Sequence, residues 1–134
     1  MLWNIYFAYF HSQLRYGIIL RGGTKESIKA LHIQKKVIRL ITCINKYESC
    51  RKKFKENGIL TVTSVYILEV FCVIKKYKGE LKQNCEIHEH NTRNKYDLHT
   101  QSHNTSLLQK SVLHMVVRLY KRFPLKIKQL DNFN

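Results

Sequence analysis

Lys25, Lys29, His32, Lys36 and Arg39 return at intervals of four, three, four and three residues. On a helix that spacing lines ammonium and guanidinium groups along one side. Phosphates repeat at comparable intervals along a nucleic-acid duplex, and each contact that forms releases counterions. A solvated helix face ordinarily mixes signs for i,i+4 support, whereas Glu26 is the only acid close to this row. The chemistry on offer is a grip on a phosphodiester backbone. A merely solvated face is the other reading of the same residues.

Basic residues cluster elsewhere too: Lys46, Arg51, Lys52, Lys53 and Lys55; then Lys75, Lys76, Lys78 and Lys82; then Arg118, Lys121, Arg122, Lys126 and Lys128. Arg51 and Lys52 join the expected binding set. The stretch His90-Asn91-Thr92-Arg93-Asn94-Lys95 carries donors on nearly every residue and little bulk. Two uses fit it equally: contact with phosphate or ribose, or an internal polar clamp that fixes a loop.

Other chemistry is poorly supplied. Cys85, His88, His90, His99 and His103 are zinc-ligand types, with Cys85-x-x-His88 as a near pair and His99/His103 at i,i+4. The usual paired Cys-x-x-Cys or complete Cys2His2 layout is absent, so these read as solvated or hydrogen-bonded side chains and no metal site is expected. Asp97 and Asp131 are isolated, so no adjacent Asp pair exists to hold two metal ions for phosphoryl transfer. Gly22-Gly23 lacks the Lys-Ser/Thr that completes a phosphate-cradling loop. Nothing favours a Cys50–His88 nucleophile pair. The expectation is a protein that is not an enzyme, with no cofactor and no small-molecule substrate.

Helices must position these residues. The segment 2–20 reads as a helix dense in aromatics, closed by Gly22-Gly23 through a left-handed glycine. The aromatics fit a core, or a core face without its partner, better than a base-stacking platform. A second helix starts at Thr24 as N-cap, with Ala30, Ile33, Val37, Leu40 and Ile44 as its apolar stripe, widened by Leu31, Ile38 and Ile41. A short helix from about Cys50 to Asn57 has Ser49 as cap and Gly58 as stop. The helix Val62–Lys78, capped by Thr61 or Thr63, is apolar on every side and reads as a buried central helix. Residues 80–110 are polar and rich in His and Asn, an extended loop within one domain spanning 1–134. Ser111 caps a last long helix to about Arg122, and Pro124 starts a final turn over 125–130. The fold class expected is all-α, a small multi-helix bundle.

Composition agrees. Of 134 residues, 44% are hydrophobic and only one is proline, which suits helices and disfavours a disordered or turn-rich chain. Lys and Arg total 24 against 9 acids, a net charge of +15. Charge of that size opposes compaction unless a polyanion neutralises it, which points to RNA or DNA ahead of an anionic membrane surface or a merely solubilising charge. The opening residues lack a signal-peptide pattern, so the four cysteines are expected as free thiols in a reducing, intracellular compartment, nuclear or cytoplasmic. No apolar run approaches a bilayer span, so no membrane partner is expected.

Five stretches in order resemble the region after the polymerase core of jockey-type LINE retrotransposon reverse transcriptases: Tyr9-Phe10-His11-Ser12-Gln13-Leu14-Arg15-Tyr16-Gly17-Ile18; Leu31-His32-Ile33-Gln34-Lys35-Lys36-Val37-Ile38-Arg39-Leu40-Ile41; Ser49-Cys50-Arg51 with Phe54-Lys55-Glu56-Asn57-Gly58-Ile59-Leu60-Thr61; His90-Asn91-Thr92-Arg93-Asn94-Lys95; and Arg118-Leu119-Tyr120-Lys121-Arg122-Phe123-Pro124. The family usually has Trp at the position of Arg21 and Gly near Val116, so the likeness is to a drifting copy. The resemblance implies a C-terminal fragment that follows the palm. It implies thumb-like, sequence-blind grip on RNA or DNA, an upstream polymerase domain as a further partner, and no polymerase activity of its own. A decayed structural remnant without independent function is the alternative, and a small zinc-stabilised adaptor is the weakest of the readings.

Overall fold

Apolar residues at three- and four-residue intervals, with glycine sparse and one proline, leave helix as the regular structure able to satisfy most backbone groups locally. The computed structural model describes residues 2–77, 79–102, 104–109 and 111–130, with backbone alone for Leu107, Leu108, Leu125, Gln129 and Leu130. The fold is all-α. The helices are α1 (Leu2–Ile5), a π-helical stretch (Tyr6–His11), α2 (Ser12–Arg21), α3 (Glu26–Thr42), α4 (Arg51–Glu56), α5 (Val62–Lys76), α6 (Asn84–Ile87), α7 (Ser106–Gln109), α8 (Val112–Arg122) and α9 (Leu125–Leu130). Among the described residues the only β feature is an isolated antiparallel bridge between Gln83 and Leu98. The chain forms two compact units, Met1–Glu69 and Val70–Asn134.

In the first unit, Tyr6, Ile38, Cys50, Phe54 and Ile59 are buried together, with Trp3, Phe10, Val37, Ile41 and Ile44 packed against them. Tyr6 stacks on Phe10 at 5.5 Å and meets Trp3 edge-on at 6.0 Å. The first helical segment therefore contributes one aromatic row to the core, while Tyr9 and Tyr16 stand 73% and 91% exposed. Its π-helical stretch has a local cause. The Ser12 N–H reaches back five residues to the Phe7 carbonyl. The Ala8 carbonyl, which that N–H would serve in an α-helix, instead accepts from the Ser12 hydroxyl.

Gly22 ends α2 in right-handed conformation, not the left-handed one expected. Its requirement is space: a Cβ there would run into the Tyr66 ring. Gly58 does take the left-handed conformation, at φ 60°. The Ile59 N–H then bonds the Phe54 carbonyl at 2.9 Å and the Gly58 N–H bonds Lys55 at 3.2 Å, so α4 closes in a Schellman turn that aims buried Ile59 back at the core.

The buried stripe of α3 is rotated from the expected one. Gln34 and Ile38 are wholly buried, whereas Ile33 and Leu40 are exposed. A polar residue holds the centre because its amide is fully used. Gln34 Nε2 donates to Tyr6 Oη at 2.9 Å and to the Leu60 carbonyl at 2.9 Å, and Gln34 Oε1 accepts from the Val62 N–H at 3.0 Å. That last bond, with Thr61 Oγ1 accepting from the Ser64 N–H at 3.3 Å, caps α5. Thr24 does not cap α3; its hydroxyl donates to the Arg21 carbonyl at 2.7 Å and Lys25 stands at the cap. Cys50, not Ser49, stands at the cap of α4.

Helix α5 buries a single stripe, Val62, Val65, Tyr66, Val70 and Ile74, and exposes Ile67, Leu68 and Cys72. A chain this small has too few neighbouring elements to enclose a helix on every side.

In the second unit, Val70, Ile74, Leu98, Val116 and Val117 are buried. Ser111 caps α8, its hydroxyl accepting from the His114 N–H at 3.4 Å, and Pro124 precedes α9 as expected. The polar segment is tied at its base. Asn84 N–H donates to the Asp97 carbonyl at 3.0 Å, Cys85 N–H to Lys95 at 2.9 Å, and Asn84 Nδ2 to Asn94 at 2.9 Å. Lys128 Nζ reaches Asp97 Oδ1 at 2.8 Å and anchors α9 to the same loop.

Candidate nucleic-acid interface

Helix α3 projects Lys25, Lys29, His32 and Lys36 into solvent. Lys29 is shared with Glu26 at 3.0 Å, an i,i+3 pair exposed on both sides and worth little. Arg39 differs from the rest of the row. It is half-buried, and its Nη2 donates to the Glu48 carbonyl at 3.2 Å across the turn that leads to α4. Its Nε is buried with no hydrogen-bond partner among the described residues.

Arg39, one helical turn beyond Lys35, follows the buried Ile38, which packs in one cluster with Phe54 of α4, so it faces that helix. On α4 the pair Arg51 and Lys55 has the same four-residue spacing. These two pairs, with Ser49, Thr61 and Ser64, line one groove of about 740 Å³ whose floor includes Leu31, Phe54 and Ile59. Among the described residues no acidic side chain lines it. Lys52 is exposed on α4 and does not line the groove. Lys53 is held by Glu56 at 2.7 Å, a hydrogen bond that raises its pKa, with the carboxylate charge adding to the effect.

The first unit thus joins Arg39 and Arg51, both in the expected set, to Lys35 and Lys55, which were not. The signal for the missing two was present: each stands at i,i+4 from a residue already chosen. Pairing the two couples required knowing that residues 43–50 fold α4 back beside α3.

His90, Asn91, Thr92, Arg93 and Lys95 belong to the second unit. His90, Asn91, Thr92 and Arg93 are exposed, and Lys95 Nζ donates to Asn91 Oδ1 at 3.1 Å. The clamp in this region is made by backbone carbonyls of Asn94, Lys95 and Asp97 against Asn84 and Cys85, so the side chains from His90 to Arg93 are left facing solvent.

Of the zinc-type residues, His88 and His99 approach with ring centroids 5.4 Å apart, and His99 Nδ1 lies 3.2 Å from Asn84 Oδ1. No group of three or more potential ligands gathers among the described residues; His103 lies outside them. Asp97 is bonded to Lys128, and Asp131 lies outside the described residues. Among the described residues no helix is long and apolar enough to cross a membrane.

No family model, curated protein or solved structure matches the chain.

Proposed function

We propose that the chain binds RNA or DNA without sequence preference, through backbone contacts made by α3 and α4. The observation that carries this reading is the groove: two basic pairs, Lys35/Arg39 and Arg51/Lys55, line one concavity without an acid among its lining residues. The exposed row Lys25, Lys29, His32 and Lys36 extends the positive surface along α3. A net charge of +15 supplies the long-range attraction. Lys and Arg on rigid helices suit phosphate positioning rather than base reading. In this reading the chain is a thumb-side fragment of a LINE-type reverse transcriptase that grips nucleic acid and performs no chemistry, as its resemblance to that family implies. The polymerase domain upstream would be its second partner.

Affinity for an RNA–DNA hybrid, measured by fluorescence anisotropy across salt concentrations, tests it. Four to six phosphate contacts give a slope of log K against log salt of roughly −4 to −5. No binding in dilute buffer overturns the reading. Lys29→Glu/Lys36→Glu/Arg39→Glu should abolish binding with helicity intact by circular dichroism; unchanged affinity would show that the α3 face is only solvated.

A second reading, a structural remnant that associates through apolar surface, is favoured by one observation: Tyr9, Tyr16, Leu20 and Leu40 are large, apolar or aromatic and mostly exposed. Salt-independent self-association without nucleic-acid binding would select it.

A further inference from the structure

The groove between α3 and α4 has more room than a backbone phosphate alone needs. We propose that it holds one unpaired nucleotide of a single strand, with a phosphate at the Arg39 guanidinium and the attached nucleoside over the Leu31–Phe54–Ile59 floor. This rests on the nucleic-acid reading above and narrows it to a substrate class.

Three observations converge. The first is Arg39 itself. One arm of its guanidinium is fixed to the Glu48 carbonyl, and its Nε–H is buried with no acceptor. A buried donor without a partner is costly, and a small shift of this side chain toward the groove that it lines would let a phosphate oxygen satisfy it with a charge-assisted bond. The second is the setting of that arginine. Lys35, Arg51 and Lys55 surround the same concavity, and no carboxylate in its lining competes for them. The third is the interior. A cavity of about 740 Å³ is far larger than a phosphate needs. Its lining combines apolar Leu31, Phe54 and Ile59 with the hydroxyls of Ser49, Thr61 and Ser64, the last two paired with each other at 2.9 Å. Apolar floor, a few hydroxyls and a cationic rim are what a base and sugar with their phosphate require.

A duplex uses only the rim of this arrangement. Its phosphates lie on a convex cylinder and its bases are stacked inside. It can touch the rim cations, but nothing of it enters the groove. An unpaired strand can turn one base and sugar inward while its phosphate reaches Arg39.

The test compares a twelve-nucleotide single strand with the duplex of the same sequence, at one salt concentration, on the full chain. The expected result is about tenfold tighter binding of the single strand, the effect of one well-made charge-assisted contact. Arg39→Lys keeps the charge but removes the Nε–H and the planar fork. It should bring single-strand affinity down to the duplex value and leave duplex affinity unchanged. Ser64→Phe, which fills the groove without altering charge, should do the same. Arg39→Lys keeps the test open should Ser64→Phe fail to fold, with melting curves as the control. Equal binding of both nucleic acids, unaffected by either substitution, overturns the groove assignment and leaves general backbone binding standing. Binding of neither in dilute buffer overturns both. An acidic, leucine-rich peptide that displaces the single strand from the groove at lower concentration would reassign it to protein docking.

Discussion

Replacing Gln34 with leucine should destabilise the first unit by about 2–3 kcal/mol, although the change puts an apolar residue of similar volume into an apolar core. The side chain is wholly buried and makes three hydrogen bonds. Leucine would leave the Tyr6 hydroxyl and the Val62 N–H without partners, both on buried residues. It would also free the Leu60 carbonyl, but Leu60 is 44% exposed, so water reaches that group. Each orphaned buried group costs about 1–3 kcal/mol. Burial of the more apolar leucine returns about 1 kcal/mol of the total. Against a typical stability of about 5–15 kcal/mol this is a large fraction, and it lowers the melting temperature by roughly 6–15 °C. Thermal unfolding followed by circular dichroism measures it. A double-mutant cycle adds the diagnostic. Tyr6→Phe alone removes one acceptor and should cost about 1 kcal/mol. In the Gln34→Leu background it should cost almost nothing, because the partner is already gone and the orphaned hydroxyl is removed. A Gln34→Leu protein as stable as its parent, or strictly additive effects of the two changes, would refute the claim that this amide organises the unit.

Two other substitutions test the packing. Gly22→Ala should cost about 2 kcal/mol or more, since the new methyl meets the Tyr66 ring and the Ile18 carbonyl; Tyr66→Leu in the same chain should recover part of the loss in urea unfolding. His11 has a pKa below its ordinary 6.5, chiefly through burial, with the Arg15 charge adding to it. Its contribution to stability is therefore complete above pH 6.5 and lost as pH falls through the lower folded value. His11→Phe should flatten that part of the pH–stability curve, and an unaltered curve would show that other groups cause it.

Much of the helical layout was legible in local chemistry. Ser111, Pro124 and Gly58 each act within one helical turn, so their effects could be read before any tertiary contact was known. Gln34 was not legible in that way. Among Leu31, Ile33, Val37 and Ile38 its polarity argues for an outward position. It turns inward only because Tyr6 and the Leu60–Val62 segment, 26 to 28 residues away in sequence, bring it a donor and two acceptors. Once Gln34 is the centre of the buried stripe, Ile33 and Leu40 must rotate outward. Helix α5 failed for a different reason: apolar residues around its whole circumference mark how much it can bury, not how much its neighbours cover. At the candidate interface, the charge row on α3 was plain in the spacing, but Lys35 and Lys55 acquire a role only when α4 lies beside α3.

The π-helical stretch near the start of the chain has a geometric consequence. In an uninterrupted α-helix, Tyr6 and Ile18, twelve steps apart, would point about 120° away from each other. Absorbing one residue in the wide turn leaves eleven effective steps and an offset of about 20°, so both can be the buried residues of one face. The stretch works as a phase corrector between two rows that the sequence alone would set out of alignment. A single deletion between Tyr6 and His11 would close the wide turn and leave eleven α-helical steps, so Ile18 would keep its inward place, whereas a deletion between Ser12 and Ile18 would swing it by about 100°.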